Sequence, residues 1–191
     1  MFRIHQQDCR LLSVNPRAEL HGEDTKLACD LKFKTMLPND ALEMFDDRLK
    51  TTLFGARPLD EQDLADQGMS SDYLPALRFP SMGPIKWEYE SDGYTAHISR
   101  GITGYEDIKL NKVAIDKFVF ECLEGGSVEM QFRVVAHPNT EAVGSLCELI
   151  QSDVDLSMIP PSASESIQQD IEDDFVEDDE YAEDLEGDEA A

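Results

Sequence analysis

Lys117-Phe118-Val119-Phe120-Glu121-Cys122-Leu123-Glu124-Gly125-Gly126-Ser127-Val128-Glu129-Met130-Gln131-Phe132-Arg133-Val134-Val135 decides the fold class. In its second half Val128, Met130, Phe132 and Val134 recur at every other position, separated by Glu129, Gln131 and Arg133. A period of two is that of a strand with one buried face. The first half concentrates the strand formers Phe118, Val119 and Phe120. Between the halves, Gly125 and Gly126 tolerate the positive φ that a tight turn needs. The unit reads as a β-hairpin.

The same alternation spreads outward. In residues 27–36, Cys29, Leu31 and Phe33 point one way and Asp30, Lys32 and Lys34 the other. Residues 9–14 are the expected partner, and 15–24, punctuated by Asn15-Pro16 and His21-Gly22, an expected long turn or loop. Residues 86–90 and 94–100 flank Ser91-Asp92-Gly93 and suggest another hairpin. Residues 108–113 form a weaker strand, and Val154, Leu156 and Met158 alternate in a last one that Pro160-Pro161 stops.

Two short helices complete the reading. Asp40 with Glu43 has capping-box spacing ahead of Leu42, Phe45 and Leu49, with an end near Lys50. Pro138-Asn139-Thr140 opens a second helix with Val143, Leu146, Cys147 and Ile150 on its apolar stripe. Residues 57–84 contain Pro58, Pro75, Pro80 and Pro84 without sustained periodicity, the pattern of a long, flexible loop. The strand–strand–helix order of residues 9–50 returns at 117–151, an architectural echo rather than a repeat. The expectation is an α+β domain over residues 1–160, built on a mainly antiparallel sheet or sandwich with two short helices.

Residues 161–191 differ in kind: they hold 14 Asp or Glu and no Lys or Arg. Such a segment cannot bury enough apolar surface to offset its ordering entropy, so a disordered acidic tail is expected. Ile167, Ile171 and Phe175 recur every four residues and Tyr181 follows. Ile171, Phe175 and Tyr181 are therefore candidate anchors for a partner on which the tail folds as an amphipathic helix. Solubility alone is the plainer use of such a tail. Removing it from the chain's −25 leaves 27 acidic against 16 basic residues in 1–160, a formal −11. Overall charge of that sign is unusual for a nucleic-acid binder, which needs clustered cations, but is compatible with a local basic groove.

No catalytic or metal motif is present. His21-Gly22-Glu23-Asp24 gathers a histidine and two carboxylates, yet adjacent residues rarely converge on one ion and no H-x-x-x-H or H-E-x-x-H spacing exists. The glycine pairs lack a following Gly-Lys-Ser/Thr and read as turns. Cys9, Cys29, Cys122 and Cys147 form no C-x-x-C pair and suit reduced, buried cytosolic thiols. The N-terminal residues lack a secretory apolar run and no stretch reaches membrane-span length. The expectation is a non-enzymatic cytoplasmic protein with no cofactor, no metal and no membrane association, and compatible with an oligomer. The one constellation with a chemical use is Lys86, Trp87, Tyr89, Tyr94 and Arg100, to which Lys32 and Lys34 add charge. Aromatics interleaved with cations on a sheet suit single-stranded nucleic acid, because every base offers a face for stacking. Ordinary strand packing is the alternative for Trp87 and Tyr89.

Three stretches resemble small phage and prophage proteins without an assigned function: residues 13–24, Leu77-Arg78-Phe79-Pro80 with Gly83-Pro84, and Phe120-Glu121-Cys122 through Val134. The likeness covers roughly residues 12–160. It implies a setting in phage replication or recombination, in a bacterial host's cytoplasm. Separately, a β-rich domain followed by an acidic tail is similar in layout to phage single-stranded-DNA-binding proteins. The expected partner is thus single-stranded DNA or a DNA-processing protein. The alternative is an acidic mimic of nucleic acid that inhibits a host nuclease or defence enzyme.

Overall fold

The computed structural model describes residues 1–21, 24–56, 74–99 and 107–161, the side chains of His21 and Asp24 excepted. The chain divides into two units, Met1–Pro160 and Pro161–Ala191. The acidic segment and its anchors Ile171, Phe175 and Tyr181 lie outside the described residues.

The first unit is mostly antiparallel β. Its strands are β1 (Ile4–His21), β2 (Asp24–Pro38), β3 (Phe54–Gly55), β4 (Ala76–Leu77), β5 (Ile85–Trp87), β6 (Ser91–Ser99), β7 (Ile108–Leu123), β8 (Ser127–Ala136) and β9 (Asp153–Ile159). A 3-10 segment, Asn39–Met44, and the short helix α1 (Leu49–Leu53) follow β2, and α2 (Thr140–Glu148) follows β8. Six strands close into a barrel in the order β1-β2-β8-β7-β6-β9. Where all six strands pair, closure removes the unpaired edges that an open sheet must protect, and only outside the closed part, as in β1 beyond Arg10, does an edge remain.

Alternation fills the interior. Leu31 and Phe33 from β2 and Val128, Met130, Phe132 and Val134 from β8 are buried. Phe2 meets Phe118 and Phe132 edge-on with ring centres 5.0 and 5.2 Å away, and Phe118 and Phe132 stack on each other at 5.5 Å. Each such pair adds about 0.5–1.5 kcal/mol beyond its buried area. Phe45, just after the 3-10 segment, packs 4.9 Å from Phe118 and 4.8 Å from Phe120. The barrel is therefore a packed core and not a pore, as expected for a small barrel.

Bulges bend the strands into closure. Besides the one between Leu11 and Ser13 opposite β2, four bulges share a backbone signature: one extra residue enters β1 opposite β9, β6 opposite β7, and β7 opposite both β6 and β8. Positive φ accompanies each: Gln6, Gly93, Lys112 and Lys117. Only glycine adopts that conformation without steric cost.

Several expectations change in detail. Residues 15–21 are strand, not loop: Pro16 lies opposite Cys29, beyond Arg10, where the pairing of β1 with β9 ends. Proline is tolerated there because β1 has become an edge strand. Ser91-Asp92-Gly93 is no hairpin turn, since β5 and β6 both lie along β7. The permissive φ of Gly93 serves a bulge instead. The expected strands 108–113 and 117–122 are one, β7, bent by bulges. No capping box forms at Asp40, because Pro38 is the N-cap. Asp40 and Glu43 instead pair with Lys50. On α2 the stripe is rotated: Leu146 and Leu149 are buried whereas Cys147 and Ile150 are exposed. Of residues 57–84, those at 57–73 lie outside the described set. Phe54 opposite Leu77 and Gly55 opposite Ala76 join the chain on either side of it.

Candidate nucleic-acid interface

Strand register assembles a polar row on the outside of the barrel. Ser13 of β1 lies opposite Lys32 of β2, Lys32 opposite Arg133 of β8, and Arg133 opposite Asp116 of β7. The row borders a groove of about 830 Å³ that Asn15, Asp30, Lys117 and residues 86–90 also line.

Arg133 is tied in place. Its Nε donates to Asp116 Oδ1 at 2.7 Å, its Nη2 donates to Asp116 Oδ2, and its Nη1 donates to Asp30 Oδ2 at 3.0 Å. A bidentate guanidinium–carboxylate pair fixes geometry as well as charge. The Asp116 hydrogen bonds, reinforced by both carboxylate charges, push the Arg133 pKa above its ordinary range. The chain of pairs continues outward: Arg17 Nε donates to Asp30 Oδ1 at 3.1 Å, Arg17 pairs with Glu19, and Glu19 meets His137 Nε2 at 2.8 Å. The hydrogen bond with His137, then the Arg17 charge, holds the Glu19 carboxyl below its usual range.

The lysines of the groove differ from Arg133. Among the described residues, Lys32, Lys86 and Lys117 have no ion-pair partner. All three are exposed. The other acids of the groove, Glu88 and Glu90, are exposed beside Lys86. The groove thus offers three uncommitted ammonium groups against two uncommitted carboxylates, in a unit whose formal charge is −11.

Its aromatic component is half-committed to the core. Trp87 is half-buried, its ring 6.3 Å from Phe120, and still lines the groove. Tyr89 packs edge-on against Phe45 and Phe118. Its hydroxyl lies 3.3 Å from that of Tyr94.

Of the residues singled out from sequence, the structure brings Lys32, Lys86, Trp87 and Tyr89 to one groove. Lys34, one outward position along β2 from Lys32, pairs with Glu129 instead. Tyr94 is corrected: it is fully buried, its pKa raised chiefly by that burial, and it has no surface for a base to stack on. Arg100 lies outside the described residues, as do Gly22, Glu23 and the side chains of His21 and Asp24. Among the described residues no three His, Cys, Asp or Glu side chains converge to hold a metal ion. No helix among them is long and apolar enough to cross a membrane. Sequence reasoning missed Asp30, Asp116 and Arg133 as a unit. Alternation marked Asp30 and Arg133 as outward-facing, Asp116 fell between two expected strands, and only the pairing of β2 with β8 and of β8 with β7 makes the three neighbours.

No protein-family model matches this chain, and neither a curated protein nor a solved structure matches it.

Proposed function

We propose that the protein is a non-enzymatic binding protein for single-stranded DNA, an accessory to phage-type replication or recombination in the host cytoplasm. The observation that carries the reading is the meeting of Lys32, Lys86 and Lys117 with Trp87 and Tyr89 in one groove. Uncommitted ammonium groups neutralise phosphates, and each phosphate so neutralised releases counterions. Ring faces stack bases without regard to sequence, at about 1–3 kcal/mol per base. Asp30 and Asp116 engage Arg133, so the phosphate contacts fall to lysines, which act as point charges. The acidic segment 161–191 tunes affinity by repelling the polyanion, and its apolar residues Ile171, Phe175 and Tyr181 dock a DNA-processing protein.

A salt titration of labelled single-stranded DNA tests this, on the full chain and on residues 1–160. Three lysine–phosphate contacts give a slope of log K against log salt of about −2. Removing residues 161–191 strengthens binding at low salt. Absence of binding by residues 1–160 at low salt overturns the proposal.

One observation favours the rival reading, a nucleic-acid mimic. Asp8 on β1 lies opposite Asp155 on β9, with Asp153 two residues away, and all three are exposed. Like charges directly opposite across strands are destabilising. Recovery of a basic host nuclease on the immobilised protein, lost on neutralising Asp8, Asp153 and Asp155, would support mimicry.

A further inference from the structure

Lys117 has φ of 54°, in the left-handed region that side chains rarely occupy. It lies in the β7 bulge between Asp116, opposite Arg133, and Val119, opposite Gln131. In an unbroken strand Asp116 and Lys117 would point to opposite faces. Here Ile115 and Phe118 are buried on either side, while Asp116 and Lys117 both line the groove. The extra residue thus puts two consecutive side chains outside. One ties Arg133 and the other is an uncommitted cation. Glycine would form the same bulge without strain. A lysine in its place is a local conflict of the kind that concentrates at functional sites.

We propose that the bulge is a device for presenting Lys117, and that Lys117 is the phosphate anchor of the groove. This rests on the nucleic-acid reading of that groove. Asp116 keeps the Arg133 guanidinium engaged beside it, so the anchor is the ammonium and not the fork. The same strand supplies a control. Lys112 has φ of 51° in the bulge facing β6 and is not among the groove residues.

The test compares the full-length wild type with Lys117→Gly, Lys117→Arg and Lys112→Gly, each measured by thermal unfolding and by anisotropy. The probe is a labelled oligothymidylate of about 12 nucleotides, within the span one small barrel covers. Relief of left-handed strain raises Tm by about 2–4 °C in both glycine variants. Lys117→Gly nonetheless binds at least about fivefold more weakly and flattens the salt slope by about 0.7. Lys112→Gly binds as the wild type does, and Lys117→Arg, which keeps the charge, binds more tightly than Lys117→Gly. If the wild type binds and Lys117→Gly binds equally well, the anchor is refuted while the groove reading stands. If Lys112→Gly loses as much, total charge and not placement governs binding, and the anchor is refuted again. An unchanged or lower Tm in Lys117→Gly overturns the strain argument. A wild type that binds no oligothymidylate overturns the groove reading and the anchor together.

Discussion

Asp116→Asn should move stability and nucleic-acid affinity in opposite directions. Asp116 and Arg133 are 16% and 24% exposed, so their bidentate pair is only partly screened by water. Charged hydrogen bonds contribute about 1.5–3 kcal/mol where buried and less where solvent reaches them. Arg133 keeps its bond to Asp30 at 3.0 Å after the change. The expected loss is therefore about 1–2 kcal/mol, or a Tm lower by about 2–8 °C for a domain of this size. The same substitution removes one negative charge beside the groove and loosens the guanidinium. A unit charge at that range, largely screened, is worth about 0.5–1 kcal/mol to a nearby phosphate. Affinity for single-stranded DNA should then rise about two- to fivefold at low salt, and the gain should fade as salt increases. Urea unfolding and anisotropy on one preparation give both numbers. Parallel loss of stability and affinity would refute the reasoning, since it would mean that the locked Arg133 itself contacts the ligand. Unchanged stability would show that the pair contributes nothing to the fold.

Other expectations are independent of the ligand. Gly126→Ala should cost more than Gly125→Ala by urea unfolding: both have positive φ, but only at Gly126 would an added Cβ come within 3.3 Å of Asn39 Nδ2. Phe132→Ala removes a buried ring packed against Phe2, Phe33 and Phe118 and should cost about 3–5 kcal/mol in the same assay. Asn139→Ala removes the cap in which Asn139 Oδ1 accepts from the Ala142 N–H at 2.8 Å, a loss of about 1 kcal/mol. Burial pushes the Cys9 thiol from about 9 up to about 12, so its contribution is complete below pH 9 and is lost as the unfolded chain ionises between pH 9 and 12. Cys9→Val should accordingly show a shallower fall of Tm with rising pH above 9 than the wild type.

The sequence was most informative where one face of a strand is buried. Leu31 to Phe33 and Val128 to Val134 declared both their conformation and their inward sides, because a period of two leaves no alternative face. It was least informative where a residue's freedom has more than one use. Gly93 has the positive φ expected of it but bends a strand and turns no hairpin. Asp40 and Glu43 have capping spacing but serve Lys50. Half of the groove was visible as Lys32, Lys86, Trp87 and Tyr89. What joins them is lateral order, β2 beside β8 beside β7, which spacing along the chain does not encode. Tyr94 shows the opposite failure. Its residue type suited a surface role, but it shares the period-two buried face of Ala96 and Ile98, and that alternation puts its side chain in the core.

Trp87 is the sole tryptophan, half-buried and at the groove, so its emission reports on that site alone. Titrating the full chain with unlabelled oligothymidylate at low salt should quench this emission to saturation, and added salt should reverse the quenching along a slope of about −2. Emission that stays unchanged at oligonucleotide concentrations where anisotropy shows the DNA to be bound would contradict the account, because the DNA would then lie elsewhere on the protein.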